Sequence, residues 1–213
     1  MEDYFLLKAK LFDVLDVKNI HYNLKLVKPI TRKRINQIII HHTGKNDTVQ
    51  KLIGNHIKNK NYTKIGYHFL INKNGVIYQS RDLKYVGAHC FKKNKNSIGI
   101  AFLGNYNRIA PSDKQLISFR KLIKLLEWNY RIIHIYSHNS IIYKMIKKRF
   151  YVSKLPDINP LLIESVEKFQ EFQESIPVKI EKKYSSKSTR AYTDKLTTCP
   201  GINLYEFIRE IER

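Results

Sequence analysis

Ile38-Ile39-Ile40-His41-His42-Thr43 is the stretch on which the reading of this chain turns. Successive β-branched residues favour extended backbone. Ile35 to His41 reads as a buried strand, and Thr43-Gly44 ends it. Neighbouring residues on a strand point to opposite faces, so at most one of His41 and His42 serves a given site. Taken alone, either is more often a packed structural histidine than a metal ligand.

The segments around this strand repeat its logic. Thr48 to Lys58 predicts a helix. Gly66 to Ile71 and Val76 to Gln79 flank Asn74-Gly75, a strong hairpin signal because both residues tolerate positive φ. Ser97 to Leu103 is another apolar strand. Pro111-Ser112-Asp113 precedes Leu116, Ile117, Phe119, Ile123, Leu126 and Tyr130, the spacing of a long amphipathic helix capped by Ser112. Ile132 to Tyr136 is again strand-like, with His138 just past its end. Strands alternating with helices predict an α/β domain with a mixed central β-sheet flanked by helices. Residues at the strand ends then converge along one edge of the sheet.

Two segments stand apart from this pattern. Residues 1–34 read as an N-terminal extension, with an amphipathic helix over 2–17 and a mixed, basic stretch broken by Pro29. The main domain is expected over 35–213. Within it, about 139–194 reads as an insertion, with helices over 141–150 and 159–174 and a Lys/Ser-rich loop over 182–190. A last short helix is expected over 203–213.

Bulk composition limits the function. Lys and Arg number 39 against 18 Asp and Glu, a formal charge of +21, which attracts polyanions such as nucleic acid or an anionic cell envelope. Abundant Lys, Asn and Ile together also arise from gene base composition. No nucleic-acid recognition motif accompanies the charge, so nucleic acid is not the expected partner. Two cysteines, Cys90 and Cys199, do not make a disulfide framework, and a single bridge would consume Cys199. The start, Met-Glu-Asp-Tyr-Phe-Leu-Leu-Lys, is acidic and lacks the unbroken apolar run of a secretion signal. Synthesis in the cytosol, without a membrane span, is the expectation.

The sequence scatters three potential metal ligands widely: His41, His138, and Cys199 in Thr197-Thr198-Cys199-Pro200-Gly201. Two imidazoles and a thiolate suit zinc (Zn2+), and three protein ligands leave a fourth position open, as in catalytic rather than structural sites. His134 and His138 share helical i, i+4 spacing, but the β-branched residues around them argue for a strand.

The combination resembles the zinc-dependent N-acetylmuramoyl-L-alanine amidase family, which includes amidase-type phage lysozymes and peptidoglycan recognition proteins. Four segments carry the likeness: Ile38 to Thr43; Ile65-Gly66-Tyr67-His68-Phe69-Leu70-Ile71 with Gly75 and Arg81-Asp82; Gly87-Ala88-His89 through Asn96-Ser97-Ile98-Gly99-Ile100 to Gly104-Asn105-Tyr106; and Thr197 to Gly201. The resemblance implies His41, His138 and Cys199 as zinc ligands, and Tyr67 and Thr197 as catalytic residues beside the scissile carbonyl. It also suggests His42, His68, His89 and Asn96 as substrate contacts. The implied fold is that of the peptidoglycan recognition proteins. The implied partner is peptidoglycan, cut between N-acetylmuramic acid and L-alanine, in the manner of an endolysin reaching the wall by release or another export route. Non-catalytic peptidoglycan recognition is the alternative, and the presence of Cys199 favours an enzyme. Three departures from the family pattern stand out: the separation of 61 positions between His138 and Cys199, Asn139-Ser140 in place of Arg-Asp, and Ala101 where some members place a Glu.

Overall fold

The computed structural model describes residues 18–19, 34–45, 48–59, 64–142 and 198–208. The expected helices over 2–17 and 159–174, nearly all of the helix expected over 141–150, the expected loop over 182–190 and Thr197, expected to be catalytic, lie outside the described residues.

The strands are β1 (Lys18–Asn19), β2 (Gln37–His42), β3 (Phe69–Ile71), β4 (Ile77–Gln79), β5 (Ser97–Phe102) and β6 (His134–Ser137), joined in one sheet of order β1-β4-β3-β5-β2-β6. Only β3 and β4 run antiparallel, which makes the sheet mixed, as expected. Their hairpin turns at Asn74-Gly75. Gly75 adopts φ 80°, and the Asn72 side chain accepts from the Asn74 and Val76 amides. The paired strands are shorter than the apolar pattern predicts, because residues 66–67 leave the ladder, while His68 still bonds the Gly99 carbonyl through its amide and the Ser80 amide through its carbonyl. A Cβ on Gly66 would stand 2.3 Å from the Ala88 carbonyl, so the chain there packs backbone against backbone.

The helices are α1 (Val49–Gly54), α2 (Asp113–Asn129) and α3 (Ile202–Ile208). Helix α1 is shorter than the sequence predicts and runs on into a wider π-type turn over Asn55–Asn59. Side-chain alternation on β2 decides what each face meets. Ile38 and Ile40 join Phe69, Ile98, Ile100 and Phe102 against Leu116, Phe119, Leu122 and Leu126 of α2 and Leu204 and Ile208 of α3. On the other face Leu70, Ala101 and Leu103 pack with Val49 and Leu52 of α1. The sheet is therefore covered on both sides, which is why β2 and β5 are apolar without alternation.

Residues 18–19 belong to the stretch read as an extension, yet they add a parallel edge strand beside β4. Such a short pairing leaves no period in the sequence.

Helix α2 starts as its sequence predicts. Ser112 Oγ accepts from the Gln115 amide at 3.2 Å, and Gln115 Oε1 accepts from the Ser112 amide at 3.2 Å, a complete capping box. Ser112 Oγ also donates to the Lys73 carbonyl at 2.6 Å, tying the hairpin to the helix. Ser112→Ala is expected to lower the free energy of unfolding by about 1–2 kcal/mol in urea titration. Unchanged stability would mean that the cap does not hold the helix start.

Candidate metal centre

The ligand geometry follows from strand register. Strands β2 and β6 are parallel neighbours, with Ile40 opposite Ser137. One step further along both strands places His41 beside His138, on the same face. Adjacent strands lie about 4.8 Å apart, and the two imidazole centroids are 4.5 Å apart. The chain turns helical over 138–142, so His138 begins a helix at the strand's end.

Cys199 arrives from far along the chain and is fixed by backbone. Its carbonyl accepts from the Asn139 amide at 2.9 Å, and its Sγ accepts from the His42 amide at 3.3 Å. Thr198 Oγ1 accepts from Asn107 Nδ2, and the Tyr106 carbonyl accepts from the Asn203 amide. Gly201 makes this approach possible. Its φ is 89°, and a Cβ there would stand 2.5 Å from the Tyr106 carbonyl carbon. The Tyr106 amide in turn donates to His42 Nδ1 at 3.2 Å. His42, on the α2 side of the sheet, thus braces the cysteine loop while His41 faces the other side.

The result is a cluster in which one ligand atom each from His41, His138 and Cys199 lies within 4.8 Å of the others. Cys199 Sγ is 3.7 Å from His41 Nδ1. Two ligands at tetrahedral angles on one zinc, with bonds of about 2.3 and 2.0 Å, stand about 3.5 Å apart. The donor set therefore fits zinc in spacing and in softness, since a thiolate with two imidazoles selects against magnesium or calcium.

Electrostatics set the resting state of the donors. Burial first, then the neighbouring imidazoles, hold His41 well below the usual histidine range. Burial takes His42 to about 4, and burial with the nearby His42 takes His138 to about 4. Burial pushes the Cys199 thiol up to about 12, against the favourable His42 amide bond. At neutral pH the ligands are thus uncharged, and only the thiol has a proton to give up. Cys90 is also buried, and the two cysteines are not bridged to each other.

Tyr67 stands at the rim. It is half-buried, as is His138, with its ring centroid 5.1 Å from that of His41. Its loop is held by Arg81, a residue whose role the sequence reading did not assign. Arg81 donates to the Ile65, Val86 and Lys64 carbonyls, and Ser80 Oγ donates to the Tyr67 carbonyl. His89 joins the cluster 3.0 Å from His41. His68 is fully buried, with Nε2 on the Tyr85 carbonyl and Nδ1 on the Gly99 amide, so both ring nitrogens serve the backbone. The structure does not bring Asn96 to the cluster. It is exposed beside Asn36 at the opposite end of the sheet, roughly 16 Å along the strand from His41.

A family model described as N-acetylmuramoyl-L-alanine amidase matches residues 31–149. The chain belongs to the N-acetylmuramoyl-L-alanine amidase family. The matched span holds His41, Tyr67, His89 and His138 and stops before Cys199, which the fold returns to the same place. N-acetylmuramoyl-L-alanine amidase LysC from Clostridium intestinale URNW superposes with a TM-score of 0.60 at 23% identity, over 92% of this chain and 96% of that one, and so shares the amidase fold. The endolysin amidase LysCS from the same organism matches at 29% identity with a TM-score of 0.54, over 64% of this chain and 96% of that one. PGRP-SA of Apis mellifera matches at 28% identity and 0.52, over 57% of this chain and 83% of that one. No curated protein matches the chain. Among the described residues, no helix of this family member is long and apolar enough to cross a membrane.

With neutral imidazoles and a protonated thiol at rest, binding of Zn2+ near pH 7 is expected to release at least one proton per ion, that of the Cys199 thiol. Calorimetry in buffers of different ionisation enthalpy measures that number. A value near zero would mean that Cys199 is not a ligand.

Proposed function

We propose that the protein is a zinc-dependent peptidoglycan amidase that hydrolyses the amide bond between N-acetylmuramic acid and the L-alanine of the stem peptide. The observation that carries this reading is the convergence of His41, His138 and Cys199 in a chain of the amidase family. Zinc held there supplies a Lewis acid and a nucleophile available at neutral pH, with one coordination position left to the reaction.

The chain's own residues do the rest. His41 and Cys199 are buried, while His138 and Tyr67 are half-buried, so the scissile carbonyl approaches from the side of His138 and Tyr67. The Tyr67 hydroxyl donates a hydrogen bond to the oxygen that gains charge as the carbonyl becomes tetrahedral. Thr197, two residues before the cysteine, supplies a second donor. Arg81 and Ser80 keep the tyrosine loop rigid, so this donor is placed before the substrate arrives. The basic surface, with 39 Lys and Arg in the chain, brings the enzyme to an anionic cell wall.

Each of His41→Ala, His138→Ala and Cys199→Ala is expected to abolish release of stem peptides beginning with L-alanine from purified walls, read by mass spectrometry. Full activity of Cys199→Ala would sink the zinc assignment. A wild-type protein that binds zinc and walls but releases no peptide would be a recognition protein instead. Tyr67→Phe is expected to keep its zinc and lose about 10²-fold in kcat. An unchanged kcat would remove Tyr67 from the catalytic step.

A further inference from the structure

His89 meets His41 edge-on, with ring centroids 5.1 Å apart and planes at 86°. His89 Nδ1 lies 3.0 Å from His41 Nε2, and His89 Nε2 lies 3.4 Å from Ser97 Oγ. The Ser97 hydroxyl sits 2.7 Å from the Lys93 carbonyl. Donor and acceptor roles along this chain follow from its last member. A carbonyl only accepts, so the single Ser97 hydrogen is committed to Lys93. Ser97 Oγ then accepts from His89, whose hydrogen is on Nε2. His89 Nδ1 therefore presents a lone pair, which accepts from His41 Nε2–H. His41 Nδ1 is left with its own lone pair, on the side where Cys199 Sγ stands 3.7 Å away.

The surroundings are built for the His89 ring. It lies against Gly99 of β5, where a Cβ would stand 2.6 Å from its Cγ, and against Gly87, where a Cβ would stand 2.6 Å from its Cδ2. Asn94 Oδ1 accepts from the His89 and Cys90 amides, both at 2.9 Å, and fixes the loop that delivers the ring. Gly87, His89, Ser97 and Gly99 thus form one packing unit drawn from two stretches of sequence.

We propose that His89 is a positioning residue: with Ser97 and the Lys93 carbonyl it forms a buried relay that holds His41 in the tautomer whose Nδ1 faces the metal. Its bearing on the metal rests on the zinc reading above. The relay removes the choice that a free imidazole has between two protonation sites, and it fixes the ring plane. Partners of metal-bound histidines are typically worth 10–100-fold in metal affinity.

Two variants separate positioning from packing. His89→Leu keeps the bulk and removes the acceptor. His89→Asn places an amide oxygen near the Nδ1 position and keeps the acceptor. Zinc affinity is measured by competition with a chromophoric chelator, and the His41 tautomer by ring 15N shifts in metal-free protein. The relay predicts a loss of about 10–100-fold for His89→Leu, substantial recovery in His89→Asn, and an Nε2–H His41 in wild type that becomes a tautomer mixture in His89→Leu. Wild-type affinity in His89→Leu, equal losses in both variants, or a wild-type His41 protonated on Nδ1 would overturn it. Should His89→Leu fail to fold, Ser97→Ala leaves both rings in place. A His41 mixture there supports the relay and an unchanged ring spectrum refutes it. Wild-type protein with the expected tautomer but no zinc binding would sink the amidase reading and leave the relay standing.

Discussion

Parallel pairing of β2 with β6 governs everything at the site. Because Ile40 stands opposite Ser137, the residues that follow, His41 in β2 and His138 just past the end of β6, project side by side from the sheet's carboxyl edge. A slip of one residue would send either imidazole to the opposite face. The register is fixed by burial, since Ile38, Ile39 and Ile40 are at most 1% exposed and each has a face to fill. The apolar run before the histidine therefore does more than form a strand. It locks the position from which a ligand can reach its partner, and the cysteine loop then closes on a pair already made.

The second constraint is electrostatic. Burial holds His41, His42 and His138 neutral at physiological pH, and His68 and His89 beside them are engaged in hydrogen bonds. Were several protonated, their mutual repulsion in a buried setting would open the fold. Among them, neutral His41 and His138 converge with one ionisable thiol, that of Cys199, which is a setting that a divalent cation stabilises. The same burial that makes the thiol reluctant to ionise alone makes a metal its natural counter-charge. Backbone carbonyls at Lys93 and Tyr85 act as fixed acceptors that assign a proton to one nitrogen of His89 and of His68.

Much of this is legible in the sequence alone. The strand ending in His41, the Asn74-Gly75 turn, the Ser112 cap and the strand before His138 all follow from local pattern, because each is set by residues within a few positions. The division of labour between His41 and His42 followed from alternation, though which histidine faced the site required the resemblance. Cys199 could be grouped with the histidines by residue type and by that resemblance but not by spacing, since its docking depends on contacts with His42, Asn139 and Tyr106 across the fold. Asn96 is the opposite case. Its motif is real, but the strand that follows starts at the far end of the sheet, and only register reveals that distance. The roles of Arg81 and His89 were hidden for a related reason: one grips three carbonyls from two loops, and the other needs the vacancy above Gly99. Neither relation has a sequence period. The edge strand at Lys18–Asn19 is too short to leave one.

The central claim is a three-ligand zinc site with an open position, and X-ray absorption spectroscopy of the zinc-loaded protein addresses it most directly. The account predicts one sulfur at about 2.3 Å, two imidazole nitrogens at about 2.0 Å, and a remaining light-atom ligand that exchanges with added small anions. A shell without sulfur, or one closed by four protein ligands, would contradict it.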